Sequence, residues 1–377
     1  MAGAGIRGVR RARAVVASTL VLLAATGCSA TVSPPAPQEP SATKVPTPDA
    51  TPVPPQHRPR TVRIAVAGDV HFEGVLADRL ADPGSALMPA SAALEAADLA
   101  IVNLETSVGV GGRPDPGKRF TFSAGVEAFA ALAAAGIDVA TMANNHALDY
   151  GRARLPSTLR AVREAGAAEP PLSVIGIGRD ADAAFRPALT RVGTTVVATI
   201  TASVADLDPT ADPTGQWAAT EDRAGIADAV DPARLLAGVR RLARRADVVV
   251  AYLHWGIQGE RCPSTDQRDL AARLVGAGAD VVVGTHAHQL QGDGRLGRGY
   301  VAYGLGNFAW YSPGPTGVLT LTVRPPREPA GRARVVRSAW WPAVIGADGL
   351  PVRVRGSAAA GFAAQRETLR ACAGLTR

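Results

Sequence analysis

Between Thr61 and about Val323 the chain repeats one rhythm, a short run dense in Val and Ile followed by a longer Ala-rich amphipathic segment. The runs are TVRIAVAG, DLAIVN, DVATMA, LSVIGIG, TTVVATITAS, ADVVVAYLHW, ADVVVGTH and GYVAYGLGNF. Most are continuous instead of alternating, which is the pattern of strands covered on both faces. Helices are expected over about 86–96, 126–135, 155–165, 232–243 and 266–277. Asp98, Asp138, Asp247 and Asp280 each open a run just after a helical segment. This β-α-β order specifies an α/β domain with covering helices, and about 260 residues is ample for one core. After Gly317 the rhythm changes. VLTLTV, ARVVRSAWWPAVI and PVRVRG alternate apolar residues with Arg, Thr and Ser, as expected of antiparallel strands with one solvated face. A last helix is expected over about 358–371, and there is no internal repeat.

The N-terminus reads as a processing signal. Arg7, Arg10, Arg11 and Arg13 precede an apolar stretch, Ala14 to Ala25, that is too short to span a bilayer as a mature helix. Ala25-Thr26-Gly27-Cys28 then resembles a bacterial lipobox, which implies cleavage before Cys28 and lipidation of its thiol. Residues 1–27 are expected to be leader. Residues 28–60, rich in Pro, Ser, Thr and Ala, are expected to be an extended tether between lipid and domain. The folded part divides into 61–325 and a C-terminal segment, 326–377, packing on the same domain. An extracytoplasmic, membrane-anchored location follows from the lipobox. In that oxidising setting the remaining cysteines, Cys262 and Cys372, can form a disulfide.

The leader holds four Arg of a chain whose formal charge is +7. The other Arg are scattered, as at Arg240, Arg241, Arg244 and Arg245, and read as a solvated helix face. No nucleic-acid motif is present, so nucleic acid is not an expected partner. With few Lys and few aromatics, the composition offers no obvious glycan platform.

In open α/β sheets, ligands bind beyond the C-terminal ends of the strands. Five of the six histidines lie there: His71 in AGDVHFEG, His146 in MANNHALDYG, His254 in AYLHWG, and His286 and His288 in VVVGTHAHQLQG. The sixth, His57, belongs to the tether. Asp69 and His71, two apart after Gly68, can lean into one site. Asn103 and Glu105 emerge where the second run ends, and Glu105 either supplies a carboxylate or caps a turn. In MANNHALDYG, Asn145 offers an amide oxygen to a metal, with Asn144 beside it. His146 can protonate a leaving group or clamp an anion. Asp149 can orient an imidazole or cap the next helix. His254 alone would read as a buried ring satisfied by backbone. His286 and His288, with Ala287 turned away between them, are the strongest ligand signal. Gly304 and Gly306 allow close backbone approach, and Asn307 either lines the pocket or serves a turn. The substrate-facing candidates are thus Asn103, Asn144 and Asn307. Asp69, His71, Glu105, Asn145, His254, His286 and His288 are enough ligands for two divalent ions of Mn, Fe or Zn type, spaced about 3.5–4 Å apart.

The order GDVH, NLE, ANNHALDYG, HWG, GADVVVGTHAHQLQG and YGLGNF resembles the CapA family of bacterial capsule and poly-γ-glutamate synthesis, from about Val62 to Tyr311. That resemblance implies a calcineurin-like metallophosphoesterase fold, a four-layer α/β/β/α sandwich. It assigns Asp69, His71 and His288 to a first metal, Glu105 to the bridging position, and Asn145, His254 and His286 to a second metal. His146 falls at the position that acts on substrate. The chain departs from the pattern at three places: Glu105 stands for an Asp, Thr285 for a frequent His, and Gln258 for a frequent Glu. It also carries His71 where many members have no His. Two readings follow. One is a metal-dependent hydrolase of a phosphoester or polymer bond at the cell surface. The other is a non-catalytic assembly or export subunit that binds an anionic polymer and recruits a membrane synthase or ligase.

Overall fold

The computed structural model describes residues 60–205, 217–328 and 331–377. The expected leader, Cys28 and, Arg60 apart, the tether with His57 lie outside these residues.

In chain order the strands begin with β1 (Val62–Val70), β2 (Leu99–Leu104), β3 (Ser107–Val108), β4 (Ser123–Ala124), β5 (Val139–Thr141), β6 (Ser173–Ile175), β7 (Ile177–Gly178), β8 (Ala188–Val192) and β9 (Thr195–Ser203). They continue with β10 (Gly225–Ile226), β11 (Val248–Trp255), β12 (Val281–His286), β13 (Asp293–Leu296), β14 (Gly299–Ala302), β15 (Asn307–Ala309), β16 (Pro315–Arg324), β17 (Arg334–Ile345) and β18 (Pro351–Arg353). The helices are α1 (Ala92–Glu95), α2 (Glu127–Ala134), α3 (Leu155–Gly166), α4 (Ala181–Ala184), α5 (Ala233–Leu242), α6 (Thr265–Ala277) and α7 (Gly356–Ala373).

Two sheets carry the architecture. The first runs β18-β17-β16-β1-β2-β5-β6, with β15 also pairing along β1, and the second runs β13-β14-β12-β11-β9-β8. Each has a parallel centre, β1-β2-β5-β6 and β9-β11-β12-β14. β16 joins the first sheet antiparallel to β1, and β17 and β18 extend it, each antiparallel to the strand before, while α7 packs against β13 of the second sheet.

The continuous apolar runs conceal a period of two that burial on both faces hides from the eye. In β11, Val248, Val250 and Tyr252 share one buried cluster with Ile64, Val66, Ile101 and Val139 of the first sheet. Their neighbours Val249, Ala251 and Leu253 belong instead with Leu235 and Val239 of α5 and Leu270 and Leu274 of α6. In β1, Ala65 and Ala67 turn away from the inter-sheet core and pack with Phe129 and Leu132 of α2 and Leu155 of α3. Three apolar interfaces thus separate four layers, α/β/β/α.

The aspartates that open the runs have a shared structural cause. Each one extends the ladder by a rung at the start of a parallel strand. Asp280 N donates to Val249 O at 2.9 Å, and its carboxylate accepts from Val249 N at 2.9 Å. Asp138 does the same with Ala100, Asp247 with Val196 and Asp98 with Arg63. A side chain of this length satisfies the last amide of the neighbouring strand where no backbone carbonyl reaches it.

The helix ends follow their local chemistry. α6 starts with a capping box between Ser264 and Gln267 and ends at Gly278, whose φ of 122° suits glycine. The helix expected over 86–96 is reduced to α1, and the residues before it form turns. Pro89 has no N–H to give to a continuing helix. At the C-terminus, Cys262 in the loop after β11 is disulfide-bonded to Cys372 in the last turn of α7, across 110 residues. Arg366 and Arg370 of the same helix hold Asp293 at the start of β13.

Candidate metal centre

The C-terminal edges of both sheets meet at one place. Asp69 is the penultimate residue of β1, Glu105 follows β2, Asn144 and Asn145 follow β5, His254 is near the end of β11 and His286 ends β12. Two donor groups result, each with its ligand atoms within 4.8 Å of one another: Glu105, His254 and His286, and Asp69, Glu105 and His288. Glu105 belongs to both. Asn145 joins the first, because its Oδ1 lies 2.6 Å from His254 Nε2, the atom that His286 Nδ1 approaches to 3.1 Å and Glu105 Oε1 to 3.3 Å. His286 and His288 reach these positions from left-handed backbone, with φ of 87° and 53°. Two non-glycine residues held at positive φ are a mark of a functional constraint.

Whether these residues fit a cation can be judged from their protons. Both Glu105 carboxylate oxygens are buried and accept no hydrogen bond. Burial, and next the Asp69 charge, drives the Glu105 pKa well above the usual range. Burial pushes His254 down to about 3 and His286 well below its ordinary value, so both rings are neutral and present lone pairs. His288 goes the other way. Burial opposes its charge, but Glu105 and Asp69 raise it to about 9. Asp69 is lowered despite burial, chiefly by its hydrogen bond with His288. Asp69 takes the hydrogen bond of His288, whereas Glu105, although its charge also acts on His288, accepts no hydrogen bond and lies against His254. A buried carboxylate without a partner is strongly disfavoured, and a divalent cation is what this set of oxygen and nitrogen donors lacks. The residues fit the group.

The structure separates the expected site residues into three kinds. Asp69, Glu105, Asn145, His254, His286 and His288 converge. His71 does not join either donor group among the described residues. The Glu73 amide donates to its Nδ1 at 2.9 Å, and its ring packs against Phe122, Trp310 and Tyr311 at centroid distances of 5.0, 4.0 and 4.8 Å. Asn103 and Asn144, expected to face substrate, are fully buried and spent on the scaffold. Asn103 Nδ2 donates to Asp69 Oδ1 at 2.7 Å, while its Oδ1 accepts from Thr141 and Asn144. Asn144 also donates to Leu104 O and accepts from His146 N. Only Asn307 keeps its expected exposure, with Oδ1 2.7 Å from His288 Nδ1.

His146 is held from behind. Its Nδ1 lies 2.6 Å from Asp149 Oδ2, which leaves Nε2 facing Glu105 Oε1 at 3.8 Å. Asp149 is buried and raised to about 7 by that burial, against the pull of Lys118. Lys118 Nζ binds Asp149 Oδ1 and the Asn145 carbonyl, and lies 4.3 Å from the Trp217 ring centroid. The Phe122 amide donates to Asp149 Oδ2, and the Phe122 ring stacks on His146 at 4.1 Å. Sequence reasoning missed both Lys118 and Phe122. One signal was available: the chain has only two lysines, Lys44 and Lys118, against a large excess of Arg. At position 118 a compact ammonium suits the space between the Asp149 carboxylate and the Asn145 carbonyl.

Beside the donors opens a cleft of ≈ 340 Å³. His146, His288 and Asn307 form its inner wall, and Phe120, Trp310 and Tyr311 line it farther out. Four aromatics, Phe120, Phe122, Trp310 and Tyr311, are thus gathered at the site, which the low aromatic content did not lead one to expect. The loop carrying Gln258 to this cleft is pinned twice, by Gly259 N to Ala287 O at 2.9 Å and by the Cys262–Cys372 disulfide.

A model of the bacterial capsule synthesis protein PGA_cap matches residues 63–312. The capsule biosynthesis protein CapA of Bacillus anthracis is 33% identical over 198 residues, 51% of this chain and 45% of its own length. A probable polyglutamine synthesis accessory protein of Mycobacterium tuberculosis is 31% identical over 202 residues, 51% of this chain and 50% of its own. The chain spans about half the length of these curated relatives. Among solved structures, a novel phosphatase of Mycoplasma pneumoniae aligns over 76% of this chain and 94% of itself, at 13% identity and a TM-score of 0.45.

Proposed function

The chain belongs to the PGA_cap family of bacterial capsule synthesis proteins, and from that premise we propose that it works in capsule or poly-γ-glutamate synthesis as a metal-dependent phosphoesterase of the cell envelope. In this reading Cys28 carries a lipid, the Pro-rich stretch tethers the domain outside the cytoplasmic membrane, and a membrane polymer synthase or ligase is the partner. One observation carries the hydrolytic part. Glu105 is buried without a hydrogen-bond partner at the point shared by two donor groups. Asp69 and His288 would hold one ion, Asn145, His254 and His286 the other, and Glu105 both.

Divalent ions held by these residues would supply Lewis-acid polarisation of a water and of a phosphoryl oxygen. The chain's own part is orientation and proton handling. Asp149 fixes the His146 ring through Nδ1, so that Nε2 points across the site to exchange a proton with a reacting oxygen. Lys118 and the Phe122 amide hold Asp149 in turn. Asn103 sets Asp69, and Asn307 sets His288. Outer partners of this kind fix ligand orientation. The test is to purify the protein without a metal-binding tag, measure metal per chain, and assay a generic phosphodiester with Mn²⁺. Two equivalents of metal, with turnover abolished in His146→Ala, are expected. Protein that binds no metal and turns nothing over refutes the hydrolytic reading. A second reading, a non-catalytic assembly or export subunit, draws support from the accessory role in the name of the mycobacterial relative. It predicts lost polymer in an Asp69→Ala strain with no turnover by the wild type.

A further inference from the structure

The cleft beside the donors has a lining that its neighbours do not share. Phe120 and Tyr311 present half-exposed rings, 52% and 41% accessible, while Trp310 is buried at 4%. Gln258, Gln289 and Asn307 add carboxamides that both donate and accept hydrogen bonds. No Lys, Arg, Asp or Glu lines the cleft among the described residues. Arg119, next along the chain, is stacked on the Phe120 ring with its guanidinium carbon 5.0 Å from the centroid. Lys118 is committed to Asp149.

This composition selects against a polyanion. The donor end, with His288, can answer one anionic group such as the ester itself, but each further carboxylate of a polyanion laid along the outer rings and carboxamides would lose water and meet no countercharge in the lining. It suits a ring that has one apolar face and a rim of hydroxyls. Aromatic faces offer large contact area at little entropic cost, and the carboxamides match hydroxyls as donors and as acceptors. The proline-rich turn Pro313-Gly314-Pro315 stiffens the far wall. We infer that the cleft binds a neutral sugar ring, and that the substrate of the site is a phosphoester of a saccharide and not a run of glutamyl carboxylates. The inference rests on the phosphoesterase reading for the position of the ester, which lies at the donors while the ring lies against the half-exposed Tyr311 and Phe120.

The test follows tryptophan emission of the full-length, Mn²⁺-loaded protein during titration with chitotriose, with maltotriose and with a γ-linked glutamate trimer. One neutral trisaccharide is expected to saturate the signal and the glutamate trimer to leave it unchanged. Tyr311→Ala is expected to weaken saccharide binding about tenfold, while Tyr311→Phe, which keeps the ring, stays within about twofold. Saturation by the glutamate trimer alone, or by no ligand, overturns the inference. So does a Tyr311→Ala protein with wild-type affinity. Saccharide binding without hydrolysis of bis(p-nitrophenyl) phosphate sustains the ring site and counts against the hydrolytic reading alone.

Discussion

The donor cluster and the cleft share His146, His288 and Asn307, yet they are built on opposite principles. The cluster is made of strand ends. Its groups are buried, polar and interlocked, with Asn103 touching Asp69, Thr141, Asn144 and His254. The cleft is made of loops, around residues 118–122, 257–260 and 310–315, and offers accessible rings and uncharged amides. The first arrangement fixes charge in place where water is excluded. The second leaves surface for a ligand to dock. Position and recognition are thus carried by different parts of the chain.

Lys118 joins the two regions, and its loss is expected to have the largest effect. Lys118→Met leaves the Asp149 carboxylate buried without its cation, which should cost about 3–5 kcal/mol in denaturant unfolding. A melt close to wild type would show that the loop carrying Phe120 and Phe122 is held independently of the cluster. Glu105→Gln should come next. Loss of a first ligand should lower Mn²⁺ affinity by more than the roughly 10–100-fold attached to outer partners, read by metal titration. The same variant should melt at higher temperature than the wild type when both are metal-free, because it removes an unpaired buried carboxylate. Unchanged metal affinity would remove Glu105 from the shared position.

Away from the site, Asp280→Ala should cost roughly 1–3 kcal/mol by leaving the Val249 amide unsatisfied. The exposed equivalent, Asp98→Ala, should cost less, because water reaches the Arg63 amide. Equal losses at both positions would mean that the ladder contact matters more than burial. A separate expectation concerns pH. Asp149 is raised from 3.8 to about 7, so between those values the native state holds a proton that the unfolded chain has released. Stability therefore falls as pH rises through this window, by at most about 1.4 kcal/mol per pH unit. Asp149→Asn should flatten that slope in thermal melts taken from pH 4 to 7.

Much of the architecture was legible before any coordinates. β2, β9, β11 and β12 lie where Val and Ile run together, and α2, α3, α5 and α6 lie within a residue or two of their expected bounds. Buried parallel strands must be apolar on both faces, and that demand is written locally. α1 fell short because Pro89 interrupts the Ala pattern, and the edge strand β8 was missed because Thr190 and Arg191 break up its apolar run. The strand-end groups Asp69, Glu105, Asn145, His254, His286 and His288 were legible for the same reason, since polar residues abruptly ending an apolar run are rare. Asn103 and Asn144 were visible too, but their partners were not, so their scaffold role stayed hidden.

By itself the sequence determined the strand and helix pattern, the aspartates that begin strands, and the chemistry at the strand ends, because each depends on periodicity or on immediate neighbours. Tertiary structure alone decided that His71 belongs to an aromatic wall and that Lys118 anchors Asp149. It also decided that Phe120, Trp310 and Tyr311 converge on one cleft. These contacts join residues as far apart as 71 and 310. Nothing in a local pattern encodes them. They arise when two sheets pack face to face and bring their loops to the same edge.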